Sequence, residues 1–345
     1  MVKGSVFNVI KEQLTCLSPP LQSDLTNKVV MVTGANTGIG LEAAKIFAGL
    51  HPKKLIVACR SEEKGKAAIA VIEKATGYHN IEAAVFDQGD FGSVIKYTET
   101  VKDEPLDILV ANAALAPSHH ELTKDGWEST LQVNHLATAL LSFLLLPNLI
   151  RTGQANGTTS RLTIVSSDMH YFVNFGEDLL DAPSILRKMS AVEYCASGKV
   201  TDRYASSKLV NIFFTRALSE HLPRSTPLIV DTVNPGFCRS NLRRHASEQI
   251  SNRARYWIME HLIARTSEEG ARQLVWAALG PDGKEGRHLS CMRGAYVSTQ
   301  AIREPSDFVI SREGGVVQEK IWEETVQVLS QVAPDVKTYL NQYLV

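Results

Sequence analysis

The chain has 345 residues, 44% of them apolar, and its 36 Lys and Arg against 37 Asp and Glu leave a net charge of −1. That balance supplies no broad field to attract a nucleic-acid backbone, and the apolar content is enough for a large core. Five scattered cysteines with no C-x-x-C pair argue against a disulfide framework and predict reduced thiols in a cytoplasmic protein.

Residues 1–26 read as an N-terminal extension. Val6, Phe7, Val9, Ile10, Leu14 and Leu17 suggest a short amphipathic helix ended by Pro19 and Pro20. Packing against the body or against a second subunit of a homodimer is favoured, and peripheral contact of residues 1–18 with a membrane surface is the alternative. Lys28 to Thr33 is a short apolar run suited to a buried parallel strand. Gly34, Ala35, Asn36, Thr37, Gly38, Ile39 and Gly40 follow at once, and Leu41 to Ala48 reads as a helix. A strand, a glycine turn and a helix start make a phosphate site, because glycines admit the ligand to the backbone and the helix N-terminus favours anions.

The next strand, Lys54 to Cys59, ends at Arg60, with Lys64 one helical turn on and no carboxylate at positions 58–60. A carboxylate there would bind a ribose 2′-hydroxyl and select NAD. A guanidinium matches the 2′-phosphate of NADP instead. NADP(H) is therefore expected over NAD(H).

Asp125 to Leu149 reads as a long helix with Asn134 inside it, where asparagine has poor propensity. Two readings of Asn134 stay open: it holds a water in a proton relay, or its amide bonds a neighbouring backbone. Within that stretch, Leu140 to Pro147 is apolar but far shorter than the ~20 residues a membrane span requires, so no transmembrane span is expected. Arg161 to Ser167 is another strand, ending in two hydroxyls, of which strand alternation lets one act.

Residues 168–203 form an insert with Met169, Tyr171, Phe172, Phe175, Leu179 and Leu180, expected as a lid or wall of a substrate pocket. Thr201 to Leu222 contains no glycine or proline and reads as a packed helix, on which Tyr204 and Lys208 share one face. A free phenol titrates near ~10 and exchanges protons poorly at neutral pH. A nearby ammonium favours the phenolate, so the pair can give a proton to a carbonyl oxygen or take one from an alcohol.

Residues 237–263, with Leu242, Tyr256, Trp257, Ile258 and Leu262, offer an apolar substrate loop. Ten histidines show no zinc-ligand spacing, and no metal is expected. Strands and helices alternate up to Ala295–Ser298, which predicts an α/β fold: a doubly wound parallel sheet of about seven strands with helices on both faces, spanning 27–298. Residues 299–345, with a helical run Gln318 to Leu329, are expected as a C-terminal helical appendage of the same domain.

From about Asn27 to Tyr296 the chain resembles the short-chain dehydrogenase/reductase family, which has a Rossmann-type sheet. Thr33 to Gly40 resembles the family's cofactor turn, and Ala58-Cys-Arg-Ser61 with Lys64-Gly65 is most similar to retinol-dehydrogenase-like and WW-domain-oxidoreductase-like members, which tend to use NADP. The resemblance implies that Asp87, followed by Gln88, contacts adenine, and that Asn112 belongs to a motif usually written Asn-Asn-Ala-Gly. It places Asn134, Ser167, Tyr204 and Lys208 on the catalytic tetrad, and favours Ser167 over Ser166. It places Pro235 and Gly236 on the turn beside the nicotinamide, with Cys238 near it as filler and Ser240 where a threonine usually binds the amide. Ala111 and Ala114 depart from the motif, and the insert exceeds the usual gap.

The expected activity is therefore NADP(H)-dependent reduction of a lipophilic ketone or aldehyde, or the reverse alcohol oxidation. Substrates of terpenoid, steroid, retinoid or polyketide type would suit such a ketoreductase of secondary metabolism. A non-catalytic nucleotide sensor is the alternative. An extended-type nucleotide-sugar enzyme is disfavoured, because its glycines would follow a G-x2-G-x2-G spacing.

Overall fold

The apolar runs of the chain become strands of a single sheet. They are Val29–Thr33 (β1), Lys54–Cys59 (β2), Ile81–Val85 (β3), Ile108–Ala111 (β4), Ser160–Val165 (β5), Leu228–Asn234 (β6), Tyr296–Ser298 (β7) and Ala301–Arg303 (β8). The computed structural model describes residues 6–196, 200–239, 242, 263–280 and 290–345. The sheet order is β3-β2-β1-β4-β5-β6-β7-β8. All pairings are parallel except β7 with β8. The order reverses between β1 and β4, where Val30 pairs with Leu55 on one side and Ile108 on the other. The crevice beyond the carboxyl ends of these strands is where such sheets bind ligands.

Sequence periodicity predicts about seven strands, and the sheet formed by the described residues has eight. The extra strand, β8, hangs on a two-residue turn at Thr299 and Gln300, both with positive φ, 53° and 52°. Such a turn is ordinarily signalled by Asn-Gly or Asp-Gly, and neither occurs here.

One face of the sheet is covered by Gly38–Gly49 (α2), Glu62–Thr76 (α3) and Ser267–Leu279 (the helix after β6). The other is covered by Phe91–Thr100 (α4), the bent pair Ser129–Leu144 (α5) and Leu146–Asn156 (α6), and Val200–His221. The single helix expected over Asp125–Leu149 is instead two, bent by 44°. Pro147 opens the second, and Asp125 stays outside the first, where its carboxylate accepts hydrogen bonds from Phe91 N and Gln132 Nε2. Every residue from Trp127 to Ile150 is buried, as in a core helix. Among the described residues no single helix is long and apolar enough to cross a membrane.

The insert folds into Glu177–Leu180 (α7), Ile185–Ser190 (α8) and Val192–Ala196 (α9). Phe175, Leu179, Ile185, Leu186 and Met189 join the main core. With α7 to α9 so numbered, Val200–His221 is α10, Ser267–Leu279 is α11 and Asp307–Ile310 is α12. The appendage continues as Arg312–Val332 (α13), longer than the expected Gln318–Leu329, and Pro334–Tyr343 (α14). These two helices add Ile321, Trp322, Leu329, Val336 and Leu340 to the core over α5 and α10. At the other end of the chain Val6–Gln13 (α1) packs against the body.

Candidate active site

A groove of about 420 Å³ runs across the crevice between β1 and β4. The glycine turn forms its floor, with Gly34 and Gly38 in the left-handed region at φ 64° and 58°. Gly40 packs so closely that an added Cβ would lie 2.5 Å from both Asn112 Nδ2 and Gly34 O. Thr33 holds the opposite wall: its Oγ1 accepts from Asn112 N at 3.0 Å and Ala113 N at 2.9 Å. Asn112 Nδ2 donates back to Thr33 O at 2.8 Å. Asn36, Thr37 and Ile39 line the same floor, where α2 starts. A helix start has backbone amides without helical partners, suited to a pyrophosphate.

At one end the groove is lined by Arg60, Lys64, Asp87 and Gln88. Arg60 is exposed and, among the described residues, makes no hydrogen bond or ion pair. Ser61 caps α3 by accepting from Lys64 N at 3.4 Å. Glu62 is turned away into an ion pair with Lys66 at 2.6 Å. Two cations thus line this end, and of the two carboxylates between them Glu62 is engaged by Lys66. Asp87 braces its own turn through Gly89 N at 2.8 Å. Gln88 Nε2 donates to Val133 O at 3.2 Å and Thr138 Oγ1 at 3.1 Å, tying the end of β3 to α5.

The other end holds Tyr204 and Lys208, one turn apart on α10. The Lys208 ammonium lies 5.6 Å from the Tyr204 ring centroid and donates to Val165 O at 2.8 Å. Burial disfavours its charge and pushes its pKa down to about 7. Ser166 points to the helix, donating to Lys208 O at 2.8 Å. Ser167 Oγ donates to Asp168 Oδ1 and accepts from Met169 N, both at 3.2 Å. His170 fixes the carbonyl of the same residue: Ser306 N donates to its Nε2 at 3.1 Å, so Nδ1 carries the proton and donates to Ser167 O at 2.7 Å. Burial pushes the His170 pKa down to about 4, which keeps that tautomer neutral.

Asn134 sits in a π-helical turn, Gln132–Leu136, inside α5. Its carboxamide pairs with the Leu115 peptide, Oδ1 accepting from Leu115 N at 2.8 Å and Nδ2 donating to Leu115 O at 3.0 Å. Nδ2 also donates to Ser207 Oγ at 3.0 Å. The side chain therefore joins the loop after β4 to the tyrosine helix. Its own carbonyl accepts from Asn211 Nδ2 at 2.9 Å.

Pro235 lines the groove beside Tyr204 and Lys208. Gly236 is in the left-handed region at φ 80°. Cys238 is buried and donates to Pro235 O at 3.4 Å, and burial pushes its thiol up to about 12, so it is a neutral filler. Ser240, and Tyr256, Trp257, Ile258 and Leu262 of the expected substrate loop, lie outside the described residues. Sequence reasoning missed the wall after β4, where Leu115, Ala116, Pro117 and Glu121 meet Val133 and Leu242. It also missed Arg203, which donates to Pro117 O at 3.2 Å and faces the buried Glu128 at 3.9 Å. No short motif marks these residues. Only the repeated apolar character after Asn112 hinted at the wall. None of the insert's described side chains lines the groove.

Residues 28–171 match the short chain dehydrogenase family. The chain is 34% identical over 327 residues to the short-chain dehydrogenase/reductase phmF of Phaeosphaeria nodorum, covering 92% of this chain and 91% of that one. Among solved structures it is similar to a short-chain dehydrogenase of Shigella flexneri complexed with NADP (TM-score 0.56, 22% identity, 81% of this chain and 100% of that one). It is also similar to salutaridine reductase of Papaver somniferum (TM-score 0.57, 20% identity, 78% and 99%). Family members use a nicotinamide cofactor, and the residues of this groove fit one, since its floor admits no Cβ at Gly40, one end carries Arg60 and Lys64 and the other a tyrosine–lysine pair. On that sequence identity over nearly the whole of both chains, with the sheet and groove to match, this chain belongs to the short-chain dehydrogenase/reductase family of oxidoreductases.

Proposed function

We propose that the protein is an NADP(H)-dependent carbonyl reductase acting on a lipophilic ketone or aldehyde, with Tyr204 as the proton donor. One observation carries this reading: a single groove joins Arg60 and Lys64, whose side chains make no ion pair among the described residues, to Tyr204 and Lys208 across the glycine floor. Arg60 and Lys64 would hold a 2′-phosphate, for which a guanidinium fork is well matched. Bound NADP in the Shigella flexneri neighbour supports the same choice. The start of α2 and the turn Gly34–Gly40 would hold the pyrophosphate.

The cofactor, when bound, supplies the hydride. The chain's own groups manage the proton. Tyr204 donates its phenolic proton to the carbonyl oxygen, and the buried Lys208 ammonium favours the phenolate that remains. Ser167, just after β5, would orient the substrate oxygen on turning its hydroxyl proton from Asp168 toward the groove, with His170 steadying its backbone. Asn134 keeps the wall after β4 in register with α10. That wall, with Ala116, Pro117 and Val133, gives the pocket its apolar lining, which suits a lipophilic substrate.

The test is a panel of terpenoid, steroid, retinoid and polyketide-type carbonyls with NADPH, followed by loss of the reduced cofactor's absorbance. Turnover with at least one class is expected. NADPH binding without turnover on any of them would favour a nucleotide sensor, and absence of NADPH binding would overturn the cofactor assignment.

A further inference from the structure

The N-terminal helix reaches the nicotinamide end of the groove from outside the region matched by the family. Gln13, the last residue of α1, is 7% exposed, and its carboxamide is saturated. Nε2 donates to Phe237 O and Ile263 O, each at 2.8 Å, and Oε1 accepts from Phe237 N at 2.9 Å. Glu12 continues the contact. Its carbonyl accepts from Arg265 Nη2 at 2.6 Å, and its carboxylate accepts from Ser298 Oγ at 2.9 Å. Asn234 Nδ2 donates to Ser298 Oγ at 3.2 Å, and Asn234 Oδ1 accepts from Gly236 N at 2.9 Å. The turn from Asn234 to Phe237 is thus held at both ends by two adjacent residues of α1.

Gly236 shows how close this contact is. Beyond its positive φ, an added Cβ would lie 2.9 Å from Gln13 Oε1 and 3.0 Å from Arg265 Nη1. On the far side, Gln273 Nε2 donates to Pro235 O at 2.7 Å. The turn is clamped between α1 and α11, and Pro235 faces the groove. Glutamine suits this place because one side chain donates twice and accepts once, which no aliphatic or carboxylate side chain of that length can do.

We propose that Gln13, with Glu12 beside it, is a positioning residue of the cofactor site: α1 holds the Pro235–Gly236 turn against the nicotinamide end of the groove. The inference rests on the NADP(H) reading above. Losing the carboxamide removes the donor to Ile263 O and the acceptor of Phe237 N, while Phe237 O keeps its bond from Arg265 N at 2.9 Å, so the turn must shift to restore these bonds. The adenosine end, at Arg60 and Lys64, is untouched.

Two ligands separate the ends of the groove in the full-length protein. NADPH spans it, and adenosine 2′,5′-bisphosphate fills only the adenosine end. By calorimetric titration, Gln13→Met should weaken NADPH at least ~10-fold, the loss of about one to two net hydrogen bonds, and keep adenosine 2′,5′-bisphosphate within about twofold. Gln13→Glu should weaken NADPH at neutral pH and recover part of that loss as the pH falls toward 4, where a protonated carboxyl can again donate to a carbonyl. Unchanged NADPH affinity in Gln13→Met overturns the inference and leaves the cofactor reading intact. A parallel loss of both ligands also overturns it, because Gln13 would then support the fold at large. If the unaltered protein binds neither ligand, the cofactor reading fails and this inference fails with it.

Discussion

Lys320 and Glu324 stand one turn apart on α13 and grip two different helices of the insert by opposite ends. Lys320 Nζ donates to Leu180 O at 3.0 Å and Ala182 O at 2.6 Å, where α7 finishes. Glu324 accepts from Ile185 N at 2.8 Å, Leu186 N at 2.9 Å and Ser184 Oγ at 2.8 Å, where α8 begins. A cation meets free carbonyls and an anion meets free amides, each matching the sign of the helix end it faces. The C-terminal appendage thereby fixes the insert that separates Ser167 from Tyr204.

Glu324→Ala should therefore destabilise the protein by about 1–2 kcal/mol, the upper range for loss of a helix cap. The thermal midpoint is expected to fall by a few degrees, while Lys320 keeps its contacts with α7. Calorimetric unfolding of the variant checks this. An unchanged midpoint would show that Glu324 contributes nothing measurable to the insert.

Tyr204→Phe removes the proposed proton donor and keeps the ring. Turnover should fall at least ~100-fold, the lower end for general acid–base catalysis, with cofactor affinity little changed. Steady-state rates and a cofactor titration measure the two quantities, and near-normal turnover would remove Tyr204 from its role.

The Lys208 ammonium gives a pH signature. Its folded pKa, about 7, lies below the ~10.4 of an unfolded lysine. In the free protein its charge is lost as pH rises through about 7, so kcat/KM for carbonyl reduction should decline above that pH. The unfolded chain binds the extra proton between about pH 7 and 10, so conformational stability from this group rises with pH across that window. Lys208→Met should lose turnover yet unfold at a higher temperature than the parent near pH 6, with the gap closing toward pH 10. A gap independent of pH would contradict the assignment.

Cofactor choice rests on Arg60. A hydrogen bond to a charged partner contributes about 1.5–3 kcal/mol, so NADP(H) should be preferred over NAD(H) by at least ~10-fold. Arg60→Ala should erase most of that preference and leave NADH affinity nearly unchanged. Equal affinity for both cofactors in the unaltered protein, read by titration, would rule the reading out.

The local signals in this chain were those set by backbone chemistry over a few residues. Val29–Thr33 and Lys54–Cys59 are apolar on both faces, Gly34 to Gly40 must turn tightly, and Tyr204 and Lys208 share a helical face by spacing alone. Such features need no distant partner, and they were enough to indicate the sheet and to propose the phosphate turn and the proton-donating pair. What the tertiary structure decided were contacts between residues far apart in the chain. For Asn134 the sequence left open a water relay or a backbone-bonded amide, and the structure shows its carboxamide bonded to the Leu115 peptide and Ser207. Nothing in the spacing around Gln13 pointed to Phe237 and Ile263, whose peptide groups its carboxamide holds. Nothing in the helical run around Lys320 and Glu324 pointed to the two helix ends that the insert presents to them. A polar side chain can satisfy its hydrogen bonds with any peptide group that the fold brings within reach, and sequence spacing carries no record of which peptide that is.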